Sequence, residues 1–112
     1  MALSDVWDEF ATSVKGGFGG IAKDLVAGAL EAAQSDSEAF LLQSRDRLEK
    51  WTNLLLNGDI NQEDFASLVK GQRALATLML LKQAGLQAAR VQALRTKLLD
   101  LVVKSAFMAI GL

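Results

Sequence analysis

Apolar residues along this chain recur at intervals of three and four, and alternation with period two is hard to find. Ala, Leu, Gln, Lys and Arg dominate and proline is absent, so helix formers abound and the strongest helix breaker is missing. The pattern predicts an all-α protein. Its clearest punctuation is Asn57-Gly58-Asp59-Ile60-Asn61. Gly58 can take the left-handed conformation that closes a helix, and Asn61 can cap the next by accepting from the amide of Glu63 or Asp64. Ile60 and Phe65 have the spacing of a hydrophobic staple around that cap, and Glu63 and Asp64 place negative charge at the positive end of the helix dipole.

Around this turn the spacing predicts a single helical domain over residues 1–112. A helix over 4–33 contains a glycine cluster (Gly16, Gly17, Gly19, Gly20), and a second helix over 36–57 starts from the capping-box spacing of Ser35 and Glu38. The turn occupies 58–61. One very long helix then covers 62–110, weakened only by Gly71 and Gly85, and would reach ~75 Å at ~1.5 Å per residue. The two earlier helices together match it in length, which predicts an antiparallel hairpin whose residues meet when their numbers sum to about 119. In that register the glycine cluster falls opposite Leu98-Leu99-Asp100-Leu101-Val102-Val103, where it serves as a hinge or a point of close backbone approach.

Charge sharpens the hairpin. The net charge is −1, but residues 1–38 carry two basic and seven acidic groups, residues 39–64 three and five, and residues 65–112 seven and one. The register predicts Glu49 near Lys70, Asp46 near Arg73, Asp36 near Lys82, Glu31 near Arg90 and Asp24 near Arg95. Each exposed pair is worth only ~0.2–1 kcal/mol, yet the series disfavours slipped pairings.

Composition removes chemistry. With no Cys, His or Tyr the chain lacks a thiolate nucleophile, an imidazole base and the usual zinc or haem ligands. A di-iron bundle site needs Glu-x-x-His motifs that are absent here. The adjacent carboxylates Asp8-Glu9 and Glu63-Asp64 are accounted for by helix dipoles. The reading is a non-enzyme with no cofactor and no metal. The glycine segment also lacks the Lys-Ser/Thr of a phosphate loop.

What remains is surplus apolar surface, with 51% of the residues hydrophobic. Leu75, Leu78, Met79, Leu80 and Leu81 point almost all the way round the long helix, and such a helix has to be buried on all sides. The expectation is a homo-oligomeric helical bundle with core and subunit contacts at Leu75, Leu78, Met79, Val91, Leu94, Leu98, Leu101 and Val102. Leu41, Leu48 and Trp51 face them at heptad-like, coiled-coil spacing. The alternative is a peripheral membrane or lipid-binding protein using the first helix and the apolar run 98–112. That run falls short of the roughly 20 residues that span a bilayer. An apolar ligand in an internal cavity is a third reading. The seven cations of the long helix are spread over ~50 Å, which argues against nucleic acid. An acidic amino terminus, where a signal peptide would be basic, makes cytoplasmic residence the expectation.

Trp51, Leu54, Leu55, Gly58, Ile60, Glu63, Asp64 and Phe65 resemble the short C-terminal (SHOCT-like) helical hairpin of bacterial proteins. In that module a leucine-rich helix ends in glycine and isoleucine and restarts with an acidic residue before a phenylalanine. The likeness covers residues 48–68 and sits mid-chain rather than at the carboxyl end. It implies a bacterial protein with a role in oligomerisation or association.

Overall fold

The computed structural model describes residues 2–25 and 28–112. Of these 82% are helical and none is in a strand, as the periodicity predicts. A short 3₁₀ turn, Leu3–Val6, leads into α1 (Trp7–Lys23), followed by α2 (Ala29–Leu56), α3 (Gln62–Lys70), a 3₁₀ turn at Arg73–Leu75, α4 (Met79–Gln83) and α5 (Ala88–Ile110). Each long helix buries one stripe. In α1 it is Trp7, Phe10, Val14, Phe18 and Ala22; in α5 it is Val91, Leu94, Leu98, Val102 and Ala106. The stripe of α2 includes Ser37, Ser44 and Thr52, whose hydroxyls donate to the carbonyls of Gln34, Phe40 and Glu49 at 2.7–2.9 Å. These buried hydroxyls are thus satisfied within their own helix.

The turn at 57–61 forms as its residues dictate. Gly58 sits at φ +81°, the Gly58 amide donates to Leu55 O and the Asp59 amide to Leu54 O, and α2 closes in a Schellman motif. Asn61 accepts from the Asp64 amide at 2.8 Å while the Asp64 carboxylate accepts from the Asn61 amide at 3.1 Å, a complete capping box. Phe65 is buried and Ile60 is half-buried against the same core.

Beyond the turn, the long helix expected over 62–110 is interrupted between Lys70 and Ala88. The chain passes Gly71 into the 3₁₀ turn, and α4 closes at Gly85 (φ +97°), whose amide donates to Lys82 O and that of Leu86 to Leu81 O. On the amino-terminal side, the helix expected over 4–33 is divided between α1, which ends at Lys23, and α2, which starts at Ala29, with Gly28 at φ +85°; Val26 and Ala27 lie outside the described residues. The predicted hairpin is therefore folded in half. Doubling back buries within one chain part of the apolar surface that a ~75 Å rod would leave bare, Leu78 and Leu81 included.

The register survives the fold. Arg47 donates to Gln72 Oε1 at 2.9 Å, numbers that sum to 119. On the other limb, Gly17 lies against Leu101, summing to 118. Consecutive arms run antiparallel: Lys15 pairs with Glu38 (3.4 Å) between α1 and α2, and Lys70 pairs with Asp100 (3.7 Å) between α3 and α5. The rings of Phe65 and Phe107 pack 5.5 Å apart across the α3–α5 contact. The extents are 43 × 23 × 20 Å, and the long dimension is about that of the 28-residue α2 at ~1.5 Å per residue.

Three local expectations are corrected. Gly16, Gly17, Gly19 and Gly20 are not a hinge but lie inside α1. A Cβ on Gly17 would sit 3.0 Å from Leu101 Cδ2, and one on Gly19 would sit 2.7 Å from Leu30 Cδ1 and 3.1 Å from Gln34 Cγ, so two of the four permit close packing on α5 and α2. Ser35 and Glu38 do not start a helix; both lie within α2, where Glu38 turns to Lys15 instead of reaching back. None of the five predicted ion pairs forms among the described residues. Glu49 accepts from Arg45, Lys70 turns to Asp100, Arg73 donates to Thr96, and Arg95 donates to the Ala76 carbonyl.

Candidate functional site

The residues expected to form core and subunit contacts divide by exposure. Leu41, Leu48, Leu78, Val91, Leu94, Leu98 and Val102 are buried within the one chain, so they offer no surface to a second copy. Trp51, Leu75 and Leu101 are half-buried against that core. Met79 is 59% exposed and is not a core residue, because α4 turns its neighbour Leu81 inward instead.

Large apolar side chains stay exposed at several places, among them Leu42, Met79 and Leu80, and Met108 is the most exposed. Met108 of α5 is 80% exposed, and Leu112, four positions on, is 53% exposed. Met108 stands at the rim of a groove of about 220 Å³ lined by Glu9, Phe10 and Ser13 of α1 and by Ser105 and Ala109 of α5. Phe10 forms its floor, buried and packed against Trp7 with ring centroids 5.2 Å apart. Residues 105, 108, 109 and 112 follow the i, i+3, i+4, i+7 spacing of one helix face. That spacing was legible in the apolar run 98–112, but which face of it stays uncovered depends on how α1 docks.

A second surface arises where the third arm is interrupted. Asp36 of α2, itself buried, accepts from the amides of Leu80 (3.0 Å) and Leu81 (2.9 Å), so the start of α4 is capped by a carboxylate 44 residues earlier in the chain. Leu78, immediately before α4, is buried in the left-handed region at φ +51°, ψ +45°. Leucine rarely takes this conformation, at a cost of roughly 1–2 kcal/mol, and here surrounding contacts hold it. The detour opens a cleft of about 600 Å³ lined by Gly71, Arg73, Ala74, Thr77, Lys82 and Arg95. Arg95 is steadied by donating Nε to Ala76 O at 2.7 Å, and Arg73 by donating Nη2 to Thr96 Oγ1 at 3.3 Å. In an unbroken helix Arg73 and Arg95 would be ~33 Å apart; the interruption brings both to one cleft. The sequence shows the cations but not the break that gathers them.

A third depression, between α1 and α2, is lined by charges of both signs, Asp8, Lys15, Glu38 and Arg45, most of them engaged. Arg45 lies 4.7 Å over the Trp7 ring and reaches Glu49, and Lys15 meets Glu38. Among the described residues no group of three or more carboxylates comes together that could hold a metal ion, and no helix is long and apolar enough to cross a membrane. Neither a protein-family model, nor a curated protein, nor a solved structure matches the chain.

Proposed function

We propose that the protein is a helical interaction protein that assembles with a second copy of itself through the α1–α5 face, forming a homo-oligomeric bundle without catalytic chemistry. The observation that carries this reading is the exposed Met108 beside the open groove floored by Phe10, a knob and a hollow on one face. A two-fold axis that seats each Met108 in the partner's groove would make this face an isologous contact. Methionine suits this role because its flexible thioether fills irregular apolar hollows. The resemblance of residues 48–68 to a SHOCT-like hairpin, which implies association, points the same way.

Light scattering during size exclusion tests it. The expected mass is twice the monomer's 12.0 kDa, and Met108→Glu is expected to weaken the dimer by about 30-fold, the size of a hot-spot loss near ~2 kcal/mol. Leu42→Glu, at an exposed position on α2, leaves the mass unchanged. A wild-type monomer at all concentrations, or a dimer indifferent to Met108→Glu, overturns the proposal.

A further inference from the structure

We infer that the cleft at the interrupted third arm is a binding site for a phosphate group carried on a small molecule. Arg73 from the 3₁₀ turn, Lys82 from α4 and Arg95 from α5 line it, and no carboxylate does. A second depression shares Arg73 and is lined also by Lys70, Thr96, Leu99 and Asp100, and there Asp100 forms its ion pair with Lys70. Asp36, behind α4, has both oxygens engaged by the Leu80 and Leu81 amides. Like charges from three elements are thus held around one space, and an anion entering it relieves their mutual repulsion.

The chemistry of the lining selects the anion. Guanidinium groups present forked donors that match tetrahedral phosphate oxygens in pairs, and an ammonium adds a compact point charge. The Arg95 Nε–H is committed to Ala76 O, which orients its remaining N–H groups before a ligand arrives. Thr77 adds a hydroxyl, and the small residues Gly71 and Ala74 leave the cleft wide. The cleft is shallow and open to solvent, and its volume of about 600 Å³ leaves room for more than a bare phosphate ion. The backbone around it is fixed at two points, by buried Leu78 in its left-handed conformation and by the Asp36 cap on α4. Preorganisation of this kind lowers the ordering cost of binding.

Titration of the full chain with pyrophosphate, followed by calorimetry, tests the site. One saturable site is expected, weakened about tenfold or more by Lys82→Glu and by Arg95→Gln, as loss of a charge-assisted contact implies. Lys50→Gln, an exposed change on α2, leaves it unaltered. Lys82 is exposed, so its variant folds even if Arg95→Gln does not. A parallel flotation assay with phosphatidylglycerol and phosphatidylcholine vesicles separates the sources of the phosphate. Capture by the former alone, lost in Lys82→Glu, identifies a lipid headgroup; binding of free pyrophosphate without capture identifies a soluble phosphoester. Absence of saturable binding in both arms, or binding that Lys50→Gln weakens as much as Lys82→Glu does, overturns the inference. The oligomer proposal concerns the α1–α5 face and stands or falls separately.

Discussion

Two places where the chain changes course are built in opposite ways. At 57–61 the helix ends are capped by residues within a few positions: Gly58 closes α2, and Asn61 and Asp64 cap α3 reciprocally. At 71–87 the chain needs help from afar, because α4 begins at a strained leucine and takes its cap from Asp36 on another arm. The first turn specifies itself; the second exists only once α2 is in place. Self-sufficient turns are robust to loss of any distant residue, whereas a turn with a remote cap concentrates its stability in one buried side chain.

The largest effect expected from that contrast is at Asp36. Asp36→Ala strands two amides at the start of α4 and should lower stability by about 2–3 kcal/mol, the range for hydrogen bonds to a buried charged group, read from urea unfolding. An effect no greater than that of an exposed cap would erase the distinction between the two turns. Next comes Gly85→Ala, which forces an L side chain to φ +97° and should cost about 1–2 kcal/mol in the same measurement. At the self-contained turn, Asn61→Ala should cost only about 1 kcal/mol, because its Asp64 partner is exposed and the rest of the turn is intact. The smallest effect runs the other way. A Cβ on Gly16 or Gly20 meets nothing within 4 Å inside α1, so Gly16→Ala and Gly20→Ala should each stabilise by about 0.5–1 kcal/mol. Thermal unfolding reads this directly, and destabilisation by either would restore the glycine cluster as a hinge.

The same contrast explains what could be read in the sequence. Gly58, Asn61 and Asp64 advertise their turn because the signal and its physical cause lie within a few residues. The antiparallel register near 119 was legible as well, since the turn's centre sets it, and Arg47–Gln72 and Gly17–Leu101 keep it. The break around Leu78 was not legible. Leu78-Met79-Leu80-Leu81 reads as buried helix, and neither the left-handed leucine nor its remote aspartate leaves a local mark. The glycine cluster was legible in part: Gly17 makes the expected close approach to Leu101, but the chain bends at the isolated Gly28 and Gly85 and not at 16–20. The apolar breadth of residues 75–81 was legible as a demand for burial, and the doubling back meets part of it, covering Leu78 and Leu81 while Met79 and Leu80 stay exposed. The Met108 groove and the basic cleft both depend on that doubling back, so neither could be placed before it was known.

The hairpin is folded in half, and because the chain carries no native cysteine one distance tests this. Cysteines replacing Lys70 and Asp100, spin-labelled and diluted with unlabelled protein so that only intramolecular pairs report, would be measured by pulsed electron resonance. The fold places these side chains in contact at 3.7 Å, so the expected distance is short, set by the two label arms alone. A distance near ~45 Å, the length of a continuous helix between them at ~1.5 Å per residue, would contradict the account.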